Sequence, residues 1–247
     1  MIVTPRFVFL HLHKSGGSFV NEGLLRFEPG ARQLGYHLPR GLLPAACRSL
    51  PVLGLVRNPF SYYLSWYAFQ CARPQPNALF RVLSGEGTAG FAATIRRMLA
   101  LGSDDALLDR VMAALPAHYA SHGLNLPGPA LAAIRGTGLG FYSFLFRHLY
   151  GDAGGLHIAR LERLRVELPA VMAQAGVPAG TALLGWLQDA PARNASVHAG
   201  PHEAYDATLA ALVGARDAGL IRRFGYAPAA AAVPGTRPAP RAAPRSA

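Results

Sequence analysis

The chain has almost no lysine: Lys14 stands alone against 23 arginines (24 basic side chains less one). Where positive charge alone is wanted, this composition uses arginine, so the one retained ammonium marks a special place. Cysteine is nearly absent too. Cys47 and Cys71 have neither metal-site nor redox-motif spacing, and two cysteines cannot staple a chain of 247 residues, so both are expected as ordinary thiols in a reducing compartment. Long apolar runs are missing. The uncharged, apolar-leaning stretch from Gly136 to Phe146 spans only 11 residues between Arg135 and Arg147, whereas a membrane-spanning helix needs ~20. The run from Phe7 to Leu12 is too short for a signal-peptide core, and no small-residue cleavage site follows it. A soluble, cytoplasmic protein with no transmembrane segment is expected.

Acid is scarce as well. Thirteen Asp and Glu leave a formal charge of +11 and a pI near 10.5, which points to anionic partners. Phosphates, sulfates, nucleic acid and acidic glycans all qualify, and part of the excess is a solvated arginine surface. Half of the residues are hydrophobic, enough for one sizeable α/β core.

Phe7 to Leu12 reads as a buried strand, then a glycine loop, then a helix over Phe19–Phe27. Pro51 to Val56 is a second buried strand, apolar throughout as a doubly covered parallel sheet requires, and a helix follows over Phe60–Gln70. Leu156 to Ala159 is a third, with a helix from Glu162 to Ala175. Further helices are expected over Phe91–Leu101, Asp104–Tyr119 and Tyr205–Phe224. This rhythm predicts an α/β fold with a central parallel sheet flanked by helices in three layers. Residues 1–226 form the domain, and the Ala/Pro/Arg-rich residues 227–247 are expected to be a disordered tail. No internal repeat is present.

Two segments carry chemistry. In Lys14-Ser15-Gly16-Gly17-Ser18 a strand enters a glycine turn and then a helix, so backbone N–H groups converge on one point. The glycines admit close backbone approach and positive φ, the serines add hydroxyls, and Lys14 adds charge. It is not a Walker A loop, because Lys14 precedes both glycines. In the second segment Arg57 stands at a strand's carboxyl end, where ligands bind in open α/β sheets, with Ser65 eight residues on. Arg57 and Ser65 either meet around a second anion or serve as a surface cap and an ordinary helix residue.

Phe9-Leu10-His11-Leu12-His13-Lys14-Ser15-Gly16-Gly17-Ser18 resembles the 5′-phosphosulfate loop of the sulfotransferases, and Val56-Arg57-Asn58-Pro59 through Ser65-Trp66-Tyr67 resembles their 3′-phosphate motif. The resemblance is strong over about residues 5–70. It implies a P-loop-like fold and 3′-phosphoadenosine-5′-phosphosulfate (PAPS) as donor, with no metal. By resemblance, Lys14 contacts the bridging oxygen and leaving phosphate. Ser15, Gly16, Gly17 and Ser18 wrap the 5′-phosphate, and Arg57 and Ser65 hold the 3′-phosphate. His13 replaces a common proline, and serines replace threonines at 15 and 18. The family's Gly-rich C-terminal loop is missing; Ile158 to Leu164 and Leu220 to Tyr226 are more similar to the carbohydrate-type and bacterial branch, which implies a glycan or glycolipid hydroxyl as acceptor. His37, in Leu34-Gly35-Tyr36-His37-Leu38-Pro39, resembles the segment supplying that branch's general base, and its ordinary titration near neutrality suits the task. A structural loop histidine is the other reading of His37. His13 is the reserve base, and His11 is expected to face the core.

Smaller features complete the reading. Glu162, just after Arg160, either orders the cofactor region or makes a plain ion pair, and the ion pair is expected; Tyr62, Tyr63, Trp66 and Tyr67 are expected to line core or groove. Phe141-Tyr142-Ser143-Phe144 and Arg147-His148 either line an acceptor cleft or pack, and packing is expected. Two rivals stand beside the sulfotransferase reading. A nucleotide kinase or NTPase is disfavoured by the misplaced lysine. A basic nucleic-acid-binding protein is motivated by charge alone and lacks a reader motif.

Overall fold

The structure, a computed structural model, describes residues 1–120, 123–152, 154–191 and 204–227. Its sheet has five strands, β1 (Ile2–Val3), β2 (Val8–Leu10), β3 (Arg32–Gln33), β4 (Val52–Val56) and β5 (Leu156–Arg160), in the order β3-β1-β2-β4-β5. β2, β4 and β5 run parallel, in register Leu10↔Gly54 and Gly54↔Ile158. The three expected strands are thus parallel, but the sheet as a whole is mixed, because two strands not read from the sequence join it, β1 being antiparallel to both β2 and β3. The reason lies in the connection. Only Thr4 to Phe7 link β1 and β2, and so short a link joins antiparallel strands only. Thr4 closes that turn, its hydroxyl donating to Phe7 O at 2.9 Å and accepting from Phe7 N at 2.9 Å.

The helices are α1 (Gly17–Phe27), α2 (Pro59–Cys71), α3 (Ala78–Ser84), α4 (Phe91–Ala100), α5 (Asp105–Ala114), α6 (Gly128–Leu131), α7 (Phe141–Tyr150), α8 (Leu164–Gln174), α9 (Thr181–Asp189), α10 (Ala207–Arg216) and α11 (Ala218–Phe224). They cover both sheet faces. Val8, Leu10, Val52 and Val56 pack against residues of α2, α4, α7 and α10. Phe9, Leu53 and Leu55 point the other way, onto α1, α8 and α9. This alternation along each strand is what a sheet buried on both faces imposes.

Several expected helices end early. The one expected to reach Tyr119 stops at Ala114, because Leu115 precedes Pro116 and is forced extended (φ −85°, ψ 156°). The expected helix from Glu162 begins as a 3₁₀ turn over Leu161–Arg163 before α8. The single helix expected over Tyr205–Phe224 is two, broken at Asp217 (φ −107°, ψ 17°). There the chain serves the start of α7. The buried Asp217 carboxylate accepts from Ser143 N at 2.9 Å, Ser143 Oγ at 2.6 Å and Tyr63 OH at 2.7 Å, and Gly140 N donates to Arg216 O at 2.8 Å. Asp217 thus caps α7 from a distant part of the chain, and Gly140 makes room: a Cβ there would sit 2.4 Å from Asp217 Oδ2.

Cys47 and Cys71 are free thiols. No helix among the described residues is long and apolar enough to cross a membrane. Of the expected tail, Ala227 is described, its carbonyl 3.4 Å from Asn58 Nδ2, and residues 228–247 lie outside the described residues.

Replacing Asp217 by Ala strands the Tyr63 and Ser143 donors in the core. Each such buried group costs about 1–3 kcal/mol, so a loss of about 2–4 kcal/mol of unfolding free energy is expected in urea titrations. A loss under about 1 kcal/mol, an ordinary surface effect, would show that the cap does not hold α7.

Candidate functional site

The loops after β2, β4 and β5 meet at the carboxyl edge of the parallel strands, where open α/β sheets bind ligands. The strands separate there for a specific reason. The hydroxyl of Tyr150 accepts from Leu55 N at 2.9 Å and donates to Leu55 O at 2.7 Å, with Leu10 O at 3.4 Å. It takes the place of the next ladder bonds between β2 and β4. Gly54 is required for this, since a Cβ there would lie 2.4 Å from the Tyr150 ring.

Lys14 and Gly16 both take left-handed backbone, at φ 52° and 82°. Gly16 is the N-cap of α1, with no side-chain cap and no acid in the first turn, so the positive end of the helix dipole is uncompensated. A Cβ on Gly16 would meet Leu161 Cδ1 at 2.4 Å, so the β5 loop seals against it. Gly17 is needed for packing instead: its Cβ would fall 2.0 Å from the His11 ring. Ser15 is buried, donating to His13 O at 3.1 Å and sharing a 2.9 Å bond with Tyr142 OH. Its hydroxyl therefore holds the loop together. Ser18 is exposed on the first turn of α1.

Arg57 joins this loop from β4. Its Nη1 donates to Lys14 O at 3.0 Å, and its backbone N–H donates to Tyr142 OH at 2.8 Å. Tyr142 was expected to pack or to line a cleft, not to bridge two loops; its signal in the sequence was a phenol inside an apolar run, since a buried tyrosine hydroxyl must find partners. The ammonium of Lys14 rests 4.1 Å from the centroid of the Phe69 ring. Burial, and secondarily the Arg57 guanidinium, bring its pKa down to about 8. Burial lowers Arg57 as well. Ser65 lies inside α2, only 1% exposed. Tyr62, Ser65, Trp66 and Phe69 follow the i, i+3, i+4, i+7 pattern of one broad helix face. On that face Tyr62 OH and Trp66 Nε1 are buried without a hydrogen-bond partner among the described residues.

Glu162 does not pair with Arg160 as expected. Arg160 binds Glu167, Nε to Oε1 at 2.8 Å. Glu162 instead accepts from Asn58 N at 2.8 Å and from Tyr226 OH at 3.2 Å, tying the β5 loop and the end of the described chain to the start of α2.

Three imidazoles flank the Lys14 loop. His37, at φ 52°, stacks on His13 with centroids 3.6 Å apart and meets His11 edge-on at 4.4 Å. His37 Nδ1 donates to His11 O at 2.7 Å, which leaves the lone pair on Nε2 in the neutral ring. His13 Nε2 bonds Leu124 O, and its buried Nδ1 has no partner among the described residues. His11 is buried, as expected, and Asn21 Nδ2 lies 3.2 Å from its Nδ1. Burial first, then neighbouring positive groups, drives His11 and His13 well below the ordinary range. His37 falls to about 4 through burial, although its bond to His11 O opposes the shift. All three rings are neutral at pH 7. Among the described residues no group of three or more His, Cys, Asp or Glu side chains is placed to hold a metal ion.

No protein-family model matches the chain, and neither does any curated protein or solved structure.

The buried histidines make a pH prediction. His37 has a folded pKa of about 4 against an ordinary 6.5, so between these values the unfolded chain binds the extra proton. Its stabilising contribution is complete above 6.5 and is lost as pH falls through about 4. His11 and His13 act in the same direction. Melting temperature is expected to drop across that window, less steeply in His37→Asn. Equal slopes for both proteins would show that His37 titrates alike folded and unfolded.

Proposed function

We propose that this protein is a sulfotransferase that moves a sulfuryl group from PAPS to a hydroxyl acceptor, a carbohydrate or glycolipid. The observation that carries the reading is the direct joining of the two anion-type loops. Arg57 holds the Lys14 carbonyl, and one hydroxyl, that of Tyr142, bridges Arg57 N and Ser15 Oγ. A donor with phosphate at both ends needs two such loops side by side, and neither loop alone would argue for one.

The residues present fit such a ligand. Two cations share a partly buried site with an uncapped helix N-terminus, and a depressed Lys14 is what positive charge without a nearby anion produces. Burial without a partner also leaves Tyr62 OH and Trp66 Nε1 as donors on the face of Ser65. PAPS brings an activated sulfuryl group, whose transfer leaves adenosine 3′,5′-bisphosphate (PAP). In this reading the Lys14 stem swings its ammonium from Phe69 to the leaving phosphate, and the first amides of α1 stabilise the same charge. Arg57 and Ser65 hold the 3′-phosphate. His37 Nε2 takes the acceptor proton, while His11 O keeps the opposite nitrogen protonated and aims the ring. A bound polyanion raises His37 from its depressed value, so donor binding itself strengthens the base.

Binding tests the assignment directly. PAP is expected to raise the melting temperature and AMP to leave it unchanged; equal shifts would remove the 3′-phosphate site. Lys14→Ala is expected to lower turnover by roughly 10²-fold or more in a folded protein. Ser65→Ala reads the 3′-phosphate more cleanly than Arg57→Ala, since losing the guanidinium also frees the Lys14 carbonyl. Near-normal sulfuryl transfer in Lys14→Ala would sink the reading.

The base makes a separate prediction. His37→Ala should cost about 10²–10⁴-fold in turnover with PAP affinity nearly unchanged. The acid limb of kcat/KM should lie near a pKa of about 4 rather than 6.5, and should vanish in the variant. A limb near 6.5 that survives His37→Ala would place the base elsewhere, with His13 next to be changed.

A further inference from the structure

We infer that the surface from Arg32 to Ser49, beside the histidine cluster, docks on an anionic lipid bilayer. Between Glu28 and Glu86 the chain has six arginines and no acid. Within that stretch apolar side chains concentrate on the surface. Six large hydrophobic residues are exposed among those described, and three of them fall in nine consecutive positions: Leu34 at 40%, Tyr36 at 38% and Leu42 at 48%. Phe69, another of the six, already has a role beneath the Lys14 ammonium.

The exposure is built in. Leu34 N donates to Met1 O at 3.0 Å, and His37 is held on His11 O at 2.7 Å. Arg40 Nη2 donates to Gly154 O at 2.8 Å. Pro39 and Pro44 each start a 3₁₀ turn, Arg40–Leu42 and Ala45–Cys47. Leu43 is buried and Leu38 packs against the same core, so the segment is anchored from beneath while its neighbours face outward. Arg32 and Arg48 are exposed beside them, and neither has a carboxylate partner among the described residues.

Aliphatic side chains with a tyrosine, flanked by exposed arginines that have no carboxylate partner among the described residues, match a membrane interface. The apolar groups enter the acyl boundary, tyrosine suits the headgroup level and the guanidiniums meet lipid phosphates. A nucleic acid would use the arginines but leave the leucines in water. A docked bilayer would also present lipid headgroup hydroxyls to His37, a consequence that rests on the sulfotransferase reading, whereas docking itself does not.

The test is sedimentation of the full chain with phosphatidylcholine vesicles, with and without phosphatidylglycerol, in the absence of PAPS. Binding to the anionic vesicles alone is expected, falling by about tenfold or more when Leu34, Tyr36 and Leu42 are all changed to Ser. It should fall similarly with Arg32→Glu and Arg48→Glu together. Unchanged circular dichroism and melting temperature would show that each variant is folded; a misfolding triple variant would be replaced by Leu34→Ser with Leu42→Ser. Three results would overturn the inference: no binding to anionic vesicles, equal binding by the folded leucine variants, or binding to a single-stranded oligonucleotide without binding to vesicles. Failure to transfer sulfate would leave the vesicle result standing, so the two readings fail separately.

Discussion

Tyr142 reaches between the β2 and β4 loops with a single hydroxyl, accepting Arg57 N–H at 2.8 Å and bonding Ser15 Oγ at 2.9 Å. The candidate site depends on that bridge, because β2 and β4 have already stopped pairing where the loops begin. Its position is set further back. Tyr63 OH accepts from Tyr142 N at 3.1 Å and donates to Asp217, which also binds Ser143. The break between α10 and α11 therefore fixes the start of α7, and α7 fixes both loops. Tyr150, at the far end of the same helix, keeps the strands apart. One helix both opens the crevice and ties its rims together.

Electrostatics follow from this burial. Lys14 and Arg57 are both partly buried, and both are lowered by desolvation. The three imidazoles beside them are kept neutral for the same reason. Such a site disfavours more positive charge and favours an anion, since each cation regains on binding the partner that burial withheld.

Much of this was legible in the sequence where a local rule decides the outcome. Val52 to Val56 reads as a doubly buried strand because every residue is apolar, and so it is. Gly16 stands where the left-handed backbone needs it. The strand–loop–helix placement of Lys14 and Arg57 came from the same kind of pattern. One local rule also went unheeded: Pro116 should have ended the helix over Asp104–Tyr119. Other misses were not local. Tyr142 reads as packing because nothing in its own neighbourhood names Ser15 or Arg57. Glu162 reads as the partner of Arg160 because they are close in sequence, yet Glu167 has the better geometry.

By itself the sequence determined the types of the elements that flank the two loops, the apolar character of their strands and the residue types at the loops, because these depend on side-chain period and on which backbone angles a residue tolerates. Only the tertiary structure decided which groups meet. It placed Arg57 on Lys14 O, turned the Lys14 ammonium onto Phe69, buried Ser65 and stacked His37 on His13. It also moved the titration of His37 from the ordinary range to about 4. Contacts of this kind join residues tens to more than a hundred positions apart. A pKa belongs to the solvent and charges around a group, and those surroundings exist only once the chain has closed on itself.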